Sequence, residues 1–458
     1  MTLAIVLVLL VLGSILFHFL SPWWFTPVAS NWGSIDDTIN LTFWVTGIVF
    51  VLVNVFMAYA IYRFRYNKTR KARYEPENKK LEIWLTVITS IGIVAMLAPG
   101  LMVWAKFVEV PENASVVEVV GQQWQWRYRF PGQDGELGRT DASFFGTDNP
   151  FGIDPTDSNG QDDILVSSND LHLPLGQPVK VLLRSKDVLH NFTVPQFRVK
   201  MDLVPGIVSY IWFTPTRTGR FDVLCEELCG IAHFAMRSHV VVDEEKDYQT
   251  WLASFPTFAQ TQIPKTSDIQ AGEALYAVCA SCHGQQGEGK FDMNAPTIAG
   301  LSAGYIKRQL SYYQQGIRGA HSEDIYGQQM AAMTGVLADQ AAIDNVSAYI
   351  ATLQGKPSDQ GSDQNDTATT NGNLAKGRRY FQNCSVCHGE NGEGRSFADA
   401  PKLAGQYGWY LKRQLINFKQ GVRGAHQQDQ YGQQMRLLAK VLKDEQAIDD
   451  LVAYVGTL

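Results

Sequence analysis

The stretch Cys225-Glu226-Glu227-Leu228-Cys229-Gly230-Ile231-Ala232-His233-Phe234-Ala235-Met236 brings two thiols, an imidazole and a thioether into one short loop. Hard cations prefer oxygen, and a structural zinc site does not normally recruit methionine, so this donor set points to copper. A disulfide between Cys225 and Cys229 would disable both sulfurs as ligands and would leave Met236 without a role. A mononuclear blue-copper centre uses one cysteine, so a second thiolate asks for a second metal. Two thiolates bridging two coppers, each copper with one imidazole, satisfy the composition. The second imidazole is expected from upstream, and His190 in Asp187-Val188-Leu189-His190-Asn191-Phe192 is the candidate.

Around this loop, from Ala114 to Val242, the sequence consists of short β-rich runs separated by turn signals. Val116–Val120, Ile164–Val166, Val179–Leu183, Val208–Phe213 and Val240–Val242 read as strands of a small β-sandwich or Greek-key barrel. The acidic loop from Asp134 to Asp163 fits no EF-hand spacing and reads as a solvated insertion. His172 and His239 fall outside the metal motif and read as structural.

Upstream, Thr2–Leu20 is a near-continuous apolar run, long enough to cross a bilayer or to form the core of a signal peptide. No Lys or Arg precedes it, and Trp23, Trp24 and Phe25 follow it like an interfacial belt, which favours an uncleaved helix. Leu41–Ile61 and Leu81–Val103 are two further spans. The loop between them carries Arg63, Arg65, Lys68, Arg70, Lys71, Arg73, Lys79 and Lys80, so the positive-inside rule makes it cytoplasmic. Everything after Val103 then lies on the opposite side of the membrane.

Downstream, Tyr248–Phe255 reads as a short helix, and a repeat begins near Gln270. A single shift of 105 residues superposes Cys279 on Cys384, Ala295-Pro296 on Ala400-Pro401, Arg318-Gly319-Ala320-His321 on Arg423-Gly424-Ala425-His426, and Leu353 on Leu458. Tyr305–Leu310 and Gln340–Leu353 have helical periodicity, so each copy is a small α-helical domain, with Gln354–Asn373 as a flexible link. Cys279-Ala280-Ser281-Cys282-His283 and Cys384-Ser385-Val386-Cys387-His388 are haem c attachment motifs: the thiols form thioethers and the histidine ligates iron. Met333 maps to Leu438 whereas Met330 maps to Met435, so Met330 and Met435 are the expected axial partners, with His321 and His426 as the rival pair. All six cysteines fall in these motifs, and the net charge of −6 argues against a nucleic-acid binder.

The spacing Cys-x-Glu-x-Cys-x-x-x-His-x-x-Met after an upstream His resembles subunit II of the haem-copper oxidases, from about Leu41 to Val242. That resemblance implies a cupredoxin-like sandwich with a binuclear copper-A centre. His190, Cys225, Cys229, His233 and Met236 would bind copper through side chains, and Glu227 through its carbonyl, with its carboxylate facing a magnesium ion shared with the catalytic subunit. Gly121-Gln122-Gln123-Trp124-Gln125-Trp126-Arg127-Tyr128 is similar to the family's aromatic segment, which makes Trp124 the tryptophan that receives electrons. Here Gln122 replaces the usual histidine, and Arg127–Phe130 lacks the expected acidic residue. Glu82, in Leu81-Glu82-Ile83-Trp84, resembles the glutamate at the entrance of the family's proton pathway, with the tryptophan displaced by one place.

These readings imply a multidomain chain with N-terminal transmembrane α-helices, an all-β cupredoxin-like sandwich and two all-α domains like class I cytochromes c. The expected division is a hydrophobic segment at 1–24, a transmembrane hairpin at 41–105, a copper-A domain at 108–245, haem domains at 267–353 and 374–458, and a linker at 354–373. The implied function is electron input to a cytochrome c oxidase in a bacterial inner membrane, multi-pass, with its metal domains periplasmic. A periplasmic cytochrome c or a cytochrome bc-type complex would be the donor, and subunit I would hold the oxygen-reducing centre. Chain connectivity suggests that the first haem copy sits nearer the copper. The alternatives are the copper-A subunit of a nitric oxide reductase and a membrane-anchored carrier without an oxidase partner.

Overall fold

The computed structural model describes residues 2–21, 26–69, 71, 76–146, 149–262, 267–355, 372–395 and 399–458. The expected aromatic belt at Trp23–Phe25, Arg70 and Arg73 of the basic loop, and most of the 354–373 link lie outside the described residues.

Three helices open the chain: α1 (Thr2–Leu20), α2 (Gly33–Arg63) and α3 (Lys79–Val108). Each is long and apolar enough to cross a membrane, with mean hydropathies of 2.8, 2.2 and 2.0. The last two exceed the runs expected from hydropathy because their polar ends continue into the domain above. Arg198 pairs with Asp36 of α2 at 2.6 Å, and Trp32 Nε1 donates to the Trp212 carbonyl at 2.9 Å. Trp212 Nε1 and the Tyr210 hydroxyl donate to the carbonyls of Lys106 and Val108 at 3.2 and 3.0 Å. The first turn of α2 and the last turn of α3 are thus fastened to the same face of the sandwich.

The sandwich has two five-stranded sheets. The first contains β1 (Ser115–Gln122), β2 (Gln125–Phe130), β3 (Ile164–Val166), β5 (Val179–Ser185) and β8 (Ser209–Phe213), ordered β3-β2-β1-β5-β8. The second contains β4 (Asp170–Pro174), β6 (His190–Val194), β7 (Val199–Leu203), β9 (Gly219–Leu224) and β10 (Arg237–Asp243), ordered β4-β10-β9-β6-β7. Strand β5 alternates strictly, burying Val179, Val181 and Leu183 between the sheets. Five strands match expected runs, with β8 starting at Ser209. The other five are only five or six residues long; they alternate polar and apolar residues over most of that length, and pairing with neighbours completes them as strands.

The acidic insertion is not simply solvated. Asp163 is fully buried and accepts from Arg129 Nη1 at 2.6 Å and from the Gly138 amide at 3.1 Å. Arg129 also pairs with buried Glu118 at 2.8 Å, which Arg184 reaches from the other side at 3.0 Å. Phe151 and Ile153 of the insertion are buried as well, so an ion cluster and an apolar plug hold it to the first sheet. A buried carboxylate needs such partners, and the sequence places them far from it.

Helix α4 runs Glu245–Leu252, earlier than the expected 248–255, because Glu245 and Asp247 favour the positive end of the helix dipole. After α5 (Phe258–Gln262) each repeat contributes four helices among the described residues. They are α6 (Ile269–His283), α7 (Ala303–Gln314), α8 (Ile325–Thr334) and α9 (Gln340–Thr352), then α10 (Leu374–His388), α11 (Gly408–Gln420), α12 (Gln430–Ala439) and α13 (Glu445–Val455). The repeat extends to capping: Asp324 and Asp429 accept from the amides of Gly327 and Gly432, and Asp339 and Asp444 from those of Ala342 and Ala447. Gly272 and Gly377 sit where the first and last helices of each copy cross. A Cβ there would meet the carbonyl of Asn345 at 2.2 Å or of Asp450 at 1.9 Å.

Candidate metal centre and haem cavity

Strand β6 begins at His190, and the 225–236 loop lies between β9 and β10 of the same sheet, so sheet pairing delivers the distant imidazole to the loop. Cys225 Sγ lies 3.8 Å from Cys229 Sγ and 3.9 Å from His190 Nδ1. Cys229 Sγ lies 3.6 Å from His233 Nδ1 and 3.9 Å from Met236 Sδ. The Glu227 carbonyl is 3.3 Å from Cys225 Sγ. Metal–thiolate bonds are about 2.3 Å, so two sulfurs this close can share one ion and need no rearrangement to do so. Donor atoms of His190, Cys225 and Cys229 all lie within 4.8 Å of one another, and all three residues are buried.

Both imidazoles turn Nδ1 toward sulfur. His190 is fixed by Asp187, whose carboxylate takes the ring Nε2 at 2.7 Å. Asp187 is itself held by the amides of Gln123 and Val188, each at 2.7 Å. Burial opposes ionisation of Asp187, but the bonds from His190 and these amides outweigh it, and its carboxyl is held below the usual range. Burial likewise works to lower His190, and the Asp187 and Cys225 contacts turn the net shift upward. The contact between the two thiols drives Cys225 down and Cys229 up. Asp187 was not predicted; its only sequence signal is its place three residues before His190.

His172 and His239 lie elsewhere. His172 stacks on Trp251 at 4.4 Å and pairs with Asp243, and His239 pairs with Asp170 at 3.1 Å. Glu82 is exposed in the first turn of α3, far along the chain from the sandwich.

Trp124 occupies the two-residue turn between β1 and β2, where Gln122 pairs with Gln125. It is buried, and its Nε1 donates to the Cys229 carbonyl at 3.1 Å; the Gln123 side-chain Nε2 donates to the same oxygen at 2.8 Å.

One continuous cavity runs through both haem domains. Its walls include Cys279, Cys282, His283 and Met330 of the first copy and Cys384, Cys387, His388 and Met435 of the second, and Ile231 of the metal loop also lines it. His283 and His388 are buried, and their Nδ1 atoms bond the carbonyls of Pro296 and Pro401 at 2.9 and 2.8 Å. Burial holds both imidazoles below their usual pKa, against those bonds, so each ring is neutral with Nδ1–H donated and Nε2 left as a ligand. The repeated Ala-Pro is therefore the support of the repeated histidine. His321 and His426 are exposed and spend Nδ1 accepting the amides of Glu323 and Gln428.

The two haem domains meet across a pseudo-twofold surface. Arg318 reaches Tyr410 and Gln414 at 3.3 and 3.5 Å, and Arg423 reaches the equivalent Tyr305 and Gln309 at 3.3 and 3.1 Å. The Nε atoms of both arginines are buried without a partner, and both residues line the cavity, so two cations stand ready for an anionic group inside it.

The second haem domain, not the first, packs against the sandwich at Trp124. Gln434 donates to the Trp124 carbonyl at 2.9 Å, Gln430 to the Ser167 carbonyl at 3.3 Å, and Arg127 reaches Asp399 at 3.8 Å. Val386, Cys387 and Leu438 pack on the apolar core of the sandwich. Connectivity suggested the reverse, but an intervening domain at the end of a linker can fold away from the surface to which its successor docks.

Residues 115–244 match the family described as "Cytochrome C oxidase subunit II, periplasmic domain", and residues 269–354 and 374–458 match "Cytochrome c". The chain is 58% identical over 259 residues to an "Alternative cytochrome c oxidase subunit 2" of Bradyrhizobium diazoefficiens, covering 57% of this chain and 94% of that protein. It is 31% identical over 235 residues to the "Cytochrome c oxidase subunit 2" of Cereibacter sphaeroides, covering 50% and 77%. Among solved structures, reduced recombinant cytochrome c4 from Pseudomonas stutzeri aligns at 25% identity and a TM-score of 0.33, over 42% of this chain and all of that one.

Proposed function

Since this chain belongs to the cytochrome c oxidase subunit II family, we propose that it is the electron-input subunit of an aerobic respiratory oxidase, in which two covalent haems c feed a binuclear copper-A centre. In this reading His190, Cys225, Cys229, His233 and Met236 hold the copper with side chains and Glu227 with its carbonyl. When bound, that centre supplies a one-electron store that reorganises little. Cys279, Cys282, His283 and Met330 hold one haem, and Cys384, Cys387, His388 and Met435 the other. The unpartnered Nε atoms of Arg318 and Arg423 suit the carboxylates that a haem carries.

The observation that carries the reading is the adjacency of the sites. The Cys229 carbonyl accepts from Trp124 Nε1, and the Trp124 carbonyl accepts from Gln434, the neighbour of Met435. A short bonded route thus joins the second haem site to the metal loop through the tryptophan. Arg127, where the family's docking patch would be acidic, is engaged with Asp399 of the same chain.

The three apolar helices are a multi-pass anchor in a bacterial inner membrane, with the metal domains periplasmic. Glu82 is the proton entrance at the foot of α3, and the Glu227 carboxylate faces a magnesium ion at the subunit I boundary. A periplasmic cytochrome c or a cytochrome bc-type complex is the donor. The test is purification of the intact complex with metal analysis and gas assays. Two coppers and two covalent haems per copy of this chain, with oxygen uptake, are expected. A complex that reduces nitric oxide but not oxygen, or a chain that purifies without a catalytic partner, would overturn the reading.

A further inference from the structure

The face by which the second haem domain touches the sandwich has an exposed counterpart in the first, at whose edge Arg413 of the second domain lies over the Tyr326 ring at 4.1 Å. Gln430, Tyr431, Gln434 and Leu438 are all partly buried in the docked copy. The shift of 105 residues maps them to Ile325, Tyr326, Gln329 and Met333, and all four are exposed, Ile325 at 60% and Met333 at 42%. Cys282, the counterpart of docked Cys387, lies on this face, and Met333 also lines the haem cavity, so the face covers the edge of the first haem site.

Charge separates the two copies. Residues 374–458 carry twelve basic and eight acidic side chains, and they dock on a sandwich, residues 115–244, with seventeen acidic and eleven basic. Residues 269–354 are the reverse of the second copy, with seven acidic side chains and four basic. Two of the acids flank the free face: exposed Asp292 and Glu323 stand where the second copy has Phe397 and Gln428. The ion pair at the docked face joins Arg127 of the sandwich to Asp399 of the second copy, a cation from outside meeting an acid of the haem domain. The free face presents an acidic rim around an apolar centre, the complement of a cationic carrier with an apolar redox edge.

We propose that the face of the first haem domain centred on Cys282, Gln329 and Met333 and rimmed by Asp292 and Glu323 is the docking surface for a basic one-electron carrier protein. The second haem domain occupies the surface over Trp124, so external donors are kept from the copper site. The order of transfer is first copy, second copy, Trp124, metal loop. The step at the surface is a one-electron exchange: the donor is oxidised from ferrous to ferric, and the haem held by Cys279, Cys282 and His283 is reduced from ferric to ferrous. No bond or proton is transferred, and oxygen reduction by the complex is the final oxidant. This rests on the function proposed above.

The test is the affinity of the intact oxidase for ferric mitochondrial cytochrome c, a basic carrier, measured calorimetrically at low and moderate ionic strength. The double substitution Asp292→Lys and Glu323→Lys should raise Kd at least about tenfold at low salt and flatten its salt dependence, because a screened rim attraction is removed. Asp134→Lys, an exposed acid on the sandwich, should leave Kd unchanged. Unchanged binding by the double variant, or loss of binding by Asp134→Lys instead, would overturn the docking site. Oxygen uptake by the unsubstituted complex fed with ascorbate and a small organic mediator checks the underlying reading separately: its absence would count against the oxidase itself, its presence leaves only the docking face at stake.

Discussion

Cys229→Ser should lower the turnover of the assembled oxidase by more than about a hundredfold while leaving both haems attached and reducible. Groups that merely orient a metal ligand already cost about 10–100-fold when removed, and Cys229 sits at the centre of the donor set. Its sulfur is the atom nearest Cys225, His233 and Met236 together, at 3.8, 3.6 and 3.9 Å. A hydroxyl of similar size is a hard donor with a far higher pKa than a thiol, so it cannot bridge two soft ions. The Cys229 carbonyl that accepts from Trp124 and Gln123 belongs to the backbone and survives the change, which confines the damage to the metal. Copper analysis should fall below two per chain and the haem c absorption should be unaltered. Full copper occupancy with unimpaired oxygen uptake would show that the loop is not the centre.

The second large effect is expected from Met435→His. Thioethers from Cys384 and Cys387 keep the haem attached, so the substitution changes the axial partner and not the content. Axial ligands move haem potentials over a range of about 0.8 V, and methionine lies toward the high end. A fall of about 0.2 V lowers the ratio of reduced to oxidised second haem by roughly 2,500-fold at equilibrium, at ~59 mV per decade. Because the second haem domain contacts Trp124, oxygen uptake should collapse although the first haem still reduces normally. A potentiometric titration should resolve one shifted and one unshifted haem. An unchanged spectrum and potential would mean that Met435 is not the ligand.

The local chemistry was readable because it is written locally. The loop from Cys225 to Met236 holds four donors in contiguous chain, and each Cys-x-x-Cys-His lies on one helical turn. The repeat made the copies legible as a pair: it ranks Met330 over Met333 by one substitution in the second copy, whereas the cavity walls include both methionines. What the sequence concealed depends on tertiary contacts. Strands β4, β6, β7 and β9 alternate polar and apolar residues over only four or five places, so their neighbours in the sheet mark them as strands. Asp163 was one acid among many until Arg129 and Glu118, which lie far from it in sequence, buried it. Asp187 has no motif at all.

The second haem domain docks on the sandwich, where chain connectivity points to the first. Chain connectivity limits how far two domains can part but does not choose which surfaces touch. Here the second copy meets the sandwich through Gln434 on the Trp124 carbonyl, Asp399 with Arg127, and Val386 and Leu438 on the apolar core. The signal lies in the difference between the copies, in Asp399, Gln430 and Leu438 where the first has Asn294, Ile325 and Met333. Reading the repeat for its likeness hid it.

The most direct test of the central claim is a single-turnover reduction of the fully oxidised complex by a limiting amount of reduced cytochrome c, followed at the haem c absorption and at the near-infrared absorption of the copper centre. The account predicts that covalent haem c is reduced first and that the copper signal bleaches as the haem reoxidises. Copper reduced at the full rate while the covalent haems stay ferric would contradict it.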